Sequence, residues 1–210
     1  MTLRKKLWIT VACLSVILCT LVTGTIAWLT DKTPEVKNTF TPSNIGISLA
    51  ETTGGNSKEF QMVPGRTIAK DPKVTVAANS EACYVFIEIK ESTNFKTYMT
   101  YAVIIGDNEW KALDGVAGVY YREVTADDAK NGVTYDVLGA GNVTINGVQY
   151  SWAANQVLVL PSVSKADMQA IYNNPNLKPT LTFTAYACQV EGFDTPAAAW
   201  TEAQKAPATT

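Results

Sequence analysis

The chain has no histidine, so the commonest general base and the commonest metal ligand are both missing. Carboxylates, hydroxyls and thiols remain as candidate chemistry. Asp127-Asp128, and Asp107 with Glu109, are the acidic clusters that a hard cation such as calcium or magnesium could use. Neither follows an EF-hand loop. Both sit in turn-like segments, where aspartate is selected for its local hydrogen bonds. Ser162-Val163-Ser164-Lys165 fits S-x-x-K, a pattern of serine acyl-enzymes, but the accompanying S-D-N and K-T-G elements are missing. Gly139 and Gly141 make no phosphate loop, because no G-K-[ST] follows them. Tyr120 and Tyr121 are adjacent, so a strand turns one to the core and one to the surface. The residues therefore predict no catalytic residue, no metal site and no cofactor.

The beginning of the chain carries a different kind of information. Arg4, Lys5 and Lys6 precede an uncharged run from Leu7 to Thr30, with Thr25 and Ala27 in an A-x-A-like arrangement. A basic region, an apolar stretch and small residues at −3 and −1 describe an export signal cleaved between Ala27 and Trp28. An uncleaved anchor is the alternative, since about 20 apolar residues span a bilayer. Export makes a disulfide between Cys83 and Cys188 feasible. The other reading is two buried thiols behaving as small hydrophobes.

Composition narrows the partners. There are 17 Lys+Arg against 19 Asp+Glu, and loss of the leader removes three of the basic residues. No surplus exists to neutralise a nucleic-acid backbone or to hold an anionic membrane surface. Membrane contact is expected only through the leader before its removal. With 47% hydrophobic and 17% charged residues, the chain is not a charge-rich disordered tail.

The elements that must position any site read mostly as strands. Cys83 to Lys90 is rich in β-branched and aromatic residues. Tyr98 to Ile105 and Glu109 to Leu113 flank Gly106-Asp107-Asn108, which predicts a hairpin. Val119 to Val124 alternates. Asn146-Gly147 between Val143–Ile145 and Val148–Trp152 is the strongest short hairpin signal in the chain. Leu181 to Val190 sets Leu181, Phe183, Ala185 and Ala187 on one face, and Thr182, Thr184, Tyr186 and Cys188 on the other. Two helices are predicted. One is capped by Ser164 with Asp167, and one opens on Thr195-Pro196 and carries Trp200 as a core anchor. The predicted fold is mainly β, a jelly-roll-like antiparallel β-sandwich with one or two short helices, preceded by a signal helix. Its segments are 1–27 as signal peptide, 28–40 as mature N-terminal segment, and 41–210 as a single sandwich domain with a C-terminal helix.

Several stretches resemble one family. Gly24-Thr25-Ile26-Ala27-Trp28-Leu29-Thr30-Asp31 resembles the junction of exported Gram-positive proteins processed by a SipW-type signal peptidase. Asn38-Thr39-Phe40 leading to Ile45-Gly46-Ile47-Ser48-Leu49 resembles their first mature strand. Val63 to Pro72 resembles the Pro-Gly segment before the next strand, and Ala185-Tyr186-Ala187 with Phe193 and Ala199-Trp200 resembles their C-terminal strand and helix. These are the TasA and camelysin-like proteins.

The resemblance implies a secreted jelly-roll domain, at the cell surface or in the extracellular matrix of a biofilm. It implies fibres in which the mature N-terminal segment is donated as a strand to the next subunit, or assembly with related matrix subunits. Carried onto this chain, the donor runs from Trp28 to about Phe40, with Trp28, Leu29, Val36 and Phe40 as apolar anchors. Pro34 departs from the pattern, because proline cannot donate to a ladder. Two other functions stand beside this one: a monomeric secreted module that binds a wall polymer or protein, and a camelysin-like metalloprotease. The second is weakened by the missing histidines.

Overall fold

The computed structural model describes residues 2–6, 8–11, 44–52 and 59–205. The chain forms two compact units, Met1–Thr41 and Pro42–Thr210. In the first, residues 3–6 and 8–11 are helical. Among the described residues no helix is long and apolar enough to cross a membrane.

The second unit is mainly β. Its strands are β1 (Ile47–Glu51), β2 (Thr67–Ala69), β3 (Pro72–Val76), β4 (Cys83–Glu91), β5 (Met99–Thr100), β6 (Ala102–Val103), β7 (Lys111–Ala112), β8 (Val119–Val124), β9 (Val133–Asp136), β10 (Leu138–Gly139), β11 (Gly141–Ile145), β12 (Val148–Trp152), β13 (Gln156–Val159) and β14 (Leu181–Gln189). They form a four-stranded sheet in the order β14-β4-β8-β7, three-stranded sheets β1-β3-β9 and β2-β13-β5, and the pairs β10-β6 and β11-β12. Every ladder between named strands is antiparallel.

The main core shows why β4 is so apolar. Val85, Ile87 and Ile89 of β4 meet Val74 and Val76 of β3 and Val157 and Val159 of β13 on one side. On its other side Tyr84 and Phe86 lie under Ala199, Trp200 and Ala203 of the C-terminal helix Pro196–Ala203. A strand buried on both faces loses the polar alternation of a half-exposed one. Strand β3 keeps that alternation. Its outward Thr75 shares a 2.8 Å hydroxyl contact with Thr134 of β9, and Lys73 pairs with Asp136 at 3.6 Å.

Both predicted helices form. Ser164 and Asp167 make a reciprocal capping box for Lys165–Asn173, and Thr195 caps Pro196–Ala203. Two further short helices, Phe95–Tyr98 and Ala126–Asn131, also form. The latter had legible ends. Thr125 caps it, and Gly132 at φ 80° follows it.

The structure corrects two expectations. The predicted hairpin around Gly106–Asn108 keeps its turn, with Glu109 N donating to Gly106 O at 3.1 Å, but its flanks diverge. Met99–Thr100 pairs with β13, Ala102–Val103 with β10, and Lys111–Ala112 with β8. The Trp110 indole is fully buried and donates to Asp136 O at 2.8 Å. Burying so large a ring, with its N–H satisfied, outweighs extending a two-stranded ladder. The second correction concerns Tyr120 and Tyr121. They do face opposite sides of β8, yet neither side is plain surface. Tyr120 packs on the main core and Tyr121 on the second, because the C-terminal helix covers the outer face.

Candidate functional site

Asp128, Glu109 and Ser164, one from each candidate cluster, are engaged in holding the fold. Asp128 accepts from Thr125 Oγ1 at 2.9 Å, and its backbone N–H donates back to that hydroxyl at 3.2 Å. Glu109 pairs with Arg122 at 2.7 Å. The Arg122 guanidinium also donates to Asn108 O and lies 4.0 Å from the Tyr135 ring centroid. That stacking fixes a planar cation against a half-buried aromatic ring. Ser164 Oγ donates to Asp167 Oδ2 at 2.6 Å, and the bonds from Ser164 hold the Asp167 carboxyl below its usual range. Among the described residues no three metal-ligating side chains come together. Trp200 packs against Phe86 at 5.3 Å and Tyr186 at 4.9 Å between ring centroids.

Cys83 and Cys188 are free thiols, both buried. They lie on neighbouring strands, but the register pairs Cys188 with Tyr84 and Gln189 with Cys83. A one-residue offset sends their side chains to opposite faces, Cys83 into the main core and Cys188 under the C-terminal helix. Burial, with a smaller effect from Cys188, pushes the Cys83 thiol up to about 11. Burial, then Glu202, raises Cys188. Neither is poised as a thiolate nucleophile.

A different feature stands out along one flank of the body. Strand β14 is an edge of the four-stranded sheet, hydrogen-bonded to β4 on one side. Among the described residues no strand pairs with its other side. At nine residues it is longer than any other edge strand of the described sheets. At about 3.4 Å per residue it presents roughly 30 Å of ladder. It has no charge, proline or bulge, the usual devices that keep an edge from pairing. Its inward residues Leu181, Phe183, Ala185 and Ala187 pack on the main core but remain only half-buried. Strand β1, an edge of the sheet opposite, approaches β14, and its Ile47 and Leu49 are half-buried on the same core. The core is thus sealed at β3 and β4 and partly open between β1 and β14.

One end of that opening is closed by residues the sequence did not single out. The Lys70 ammonium bonds Glu51 at the end of β1 and lies 5.3 Å from the Phe183 ring centroid on β14. No local signal marks the pair, because nineteen positions separate the two residues and only the β1–β3 ladder brings them together.

Thr25, Ala27, Trp28, Leu29, Val36 and Phe40, the residues of the expected cleavage point and donor segment, lie outside the described residues. Of the sequence-marked residues, Ala185, Ala187 and Phe183 line the flank, and Trp200 supports the opposite face of the same sheet. No family model, curated protein or solved structure matches the chain.

Proposed function

We propose that this is an exported structural subunit of an extracellular matrix, a jelly-roll-like domain that polymerises by accepting a strand along β14 from the N-terminal segment of another copy. The observation that carries the reading is the long, uncharged edge of β14 with its half-buried inner face. An added strand would satisfy the free edge groups and cover the opening in one step. The small Ala185 and Ala187 leave room there for larger donor side chains, and Trp28, Leu29, Val36 and Phe40 are the anchors the sequence offers. The donor segment precedes β1 in the chain, whereas the receiving edge is β14. Giving at one place and receiving at another is a head-to-tail contact, which continues as a filament. Release of the segment by a SipW-type signal peptidase would restrict assembly to the cell exterior.

Electron microscopy of chains beginning at Trp28, concentrated in parallel with chains lacking residues 28–40, tests this. Filaments are expected from the first and none from the second. A first form that stays monomeric at every concentration would overturn the proposal.

A further inference from the structure

Strand β14 turns every second residue toward β4. Just before the strand, Ser92 N donates to Thr180 O at 2.9 Å, and just after it Val190 N donates to Ala82 O at 3.2 Å. In an antiparallel ladder the residues that bond the partner alternate with those that do not. Thr182, Thr184, Tyr186 and Cys188 therefore aim their backbone groups at β4. Leu181, Phe183, Ala185 and Ala187 aim theirs the other way, to the side where no strand pairs among the described residues. These four are also the residues whose side chains pack on the main core.

That parity makes the two directions of an added strand unequal. In an antiparallel addition the residue opposite Phe183 bonds it with both backbone groups and turns its own side chain to the core. Every inward residue must then supply an N–H. In a parallel addition the bonds come from the residues in between, and the inward ones turn their N–H away from β14.

The expected donor segment has a parity of its own. Pro34, Val36 and Phe40 alternate with Glu35, Lys37 and Thr39. Turning Val36 and Phe40 inward turns Pro34 inward as well. Antiparallel, its missing N–H would leave a carbonyl of β14 without a partner. Parallel, nothing is lost.

Size and charge favour the same direction. Set in parallel, Pro34, Val36, Asn38 and Phe40 would follow Leu181, Phe183, Ala185 and Ala187 in order, which puts the largest donor ring beside a small residue. On the other face Glu35 would lie beside Thr182 and Lys37 beside Thr184. The β4 residues across those two threonines are Lys90 and Glu88. In the body they pair with each other at 3.0 Å, and the donor would extend that pair into a cluster of alternating sign. Antiparallel over the same positions, Glu35 would move beside Tyr186, away from Lys90, and Phe40 would meet Leu181.

Given the strand donation proposed above, on which this depends, we infer that the segment of the other copy adds to β14 in parallel. Pro34, Val36 and Phe40 turn to the core, and Glu35 and Lys37 turn outward toward Lys90 and Glu88. Pro34 then sets the direction of the joint, because it penalises only the antiparallel alternative.

Disulfide trapping tests the direction, in chains beginning at Trp28. One population carries Thr182→Cys, a second Glu35→Cys and a third Thr39→Cys. Filaments are grown from the first mixed with the second and from the first mixed with the third, then oxidised, and links between unlike chains are identified by peptide mass. In the parallel setting Glu35 lies opposite Thr182, about 5 Å away, and Thr39 lies four positions on, about 13 Å along the strand. The second separation exceeds the roughly 7 Å that a disulfide can bridge. A link is expected in the first mixture and none in the second. Circular dichroism checks that each variant keeps the fold. The reverse pattern, or filaments with neither link, would overturn the parallel joint and leave the fibre reading standing. A link that closes only inside a single chain carrying both Glu35→Cys and Thr182→Cys, with no filaments, would overturn both.

Discussion

Val85 and Ala187 are partners across one ladder and face the same core, yet Val85 is fully buried and Ala187 only half so. Among the described residues strand β4 has neighbours on both sides, and β14 has one. On the reverse of the same sheet the situation differs again. There the C-terminal helix lays Trp200 over Phe86 and Tyr186 and covers even the edge strand. One sheet therefore has a face capped by large aromatics and a flank on which two of the four inward residues, Ala185 and Ala187, are small. The contrast teaches where the chain invests its bulk. Completing the flank with large residues of its own would have cost nothing in local β-propensity, and the strand carries none of the charges or prolines that block edge pairing.

The comparison can be broken most directly on the capped face. Trp200→Ala removes a ring in contact with two others, and we expect a loss of about 3–5 kcal/mol in urea unfolding. A loss near zero would mean that the helix does not seal the sheet. Next comes the ladder pair itself. Val85→Ala should cost about 2–3 kcal/mol through lost burial and a cavity. Ala187→Val should change stability by no more than about 0.5 kcal/mol, because that position on the edge strand is only half-buried. Equal penalties for the two would erase the distinction between sealed centre and open flank.

The smallest effect is confined to alkaline solution. Tyr101 packs edge-on to Phe95 at 5.8 Å and donates to Glu91 at 2.8 Å. Burial first, and then that carboxylate, raises its phenol well above the ordinary value of 10.0. The folded state thus holds this proton more tightly than the unfolded state. Its contribution is whole below pH about 10 and is lost as pH rises through the raised folded value. Absorbance at 295 nm should show Tyr101 ionising well above the ordinary phenol value of 10.0. Tyr101→Phe should flatten the fall in stability above pH 10. Tyr101 titrating at the ordinary value of 10.0 would mean that its phenol is not buried against Phe95 and Glu91.

Much of the fold was legible because its signals are local. Strand β4, strand β14 with its two faces, the Asn146-Gly147 turn and the caps at Ser164 and Thr195 each depend on a few neighbouring residues. The divergent flanks of the Gly106–Glu109 turn were not legible, since what separates them is Trp110 reaching Asp136, twenty-six positions away. The candidate site divides in the same way. The inward set Leu181, Phe183, Ala185 and Ala187 follows from a period of two, whereas the place of β14 at an edge among the described strands follows from strand order.

By itself the sequence determined several of the extended segments, the apolar face of β14 and the starts of the helices at Ser164 and Thr195, because backbone period, capping and turn chemistry act over a few residues. Tertiary structure alone decided that Cys83 and Cys188 lie on opposite faces, that Lys70 and Glu51 close one end of the flank, and that the β11–β12 hairpin stands outside both cores. Those outcomes depend on strand order and register across long separations. The same alternating segment suits an edge or a centre equally well until its neighbours are in place.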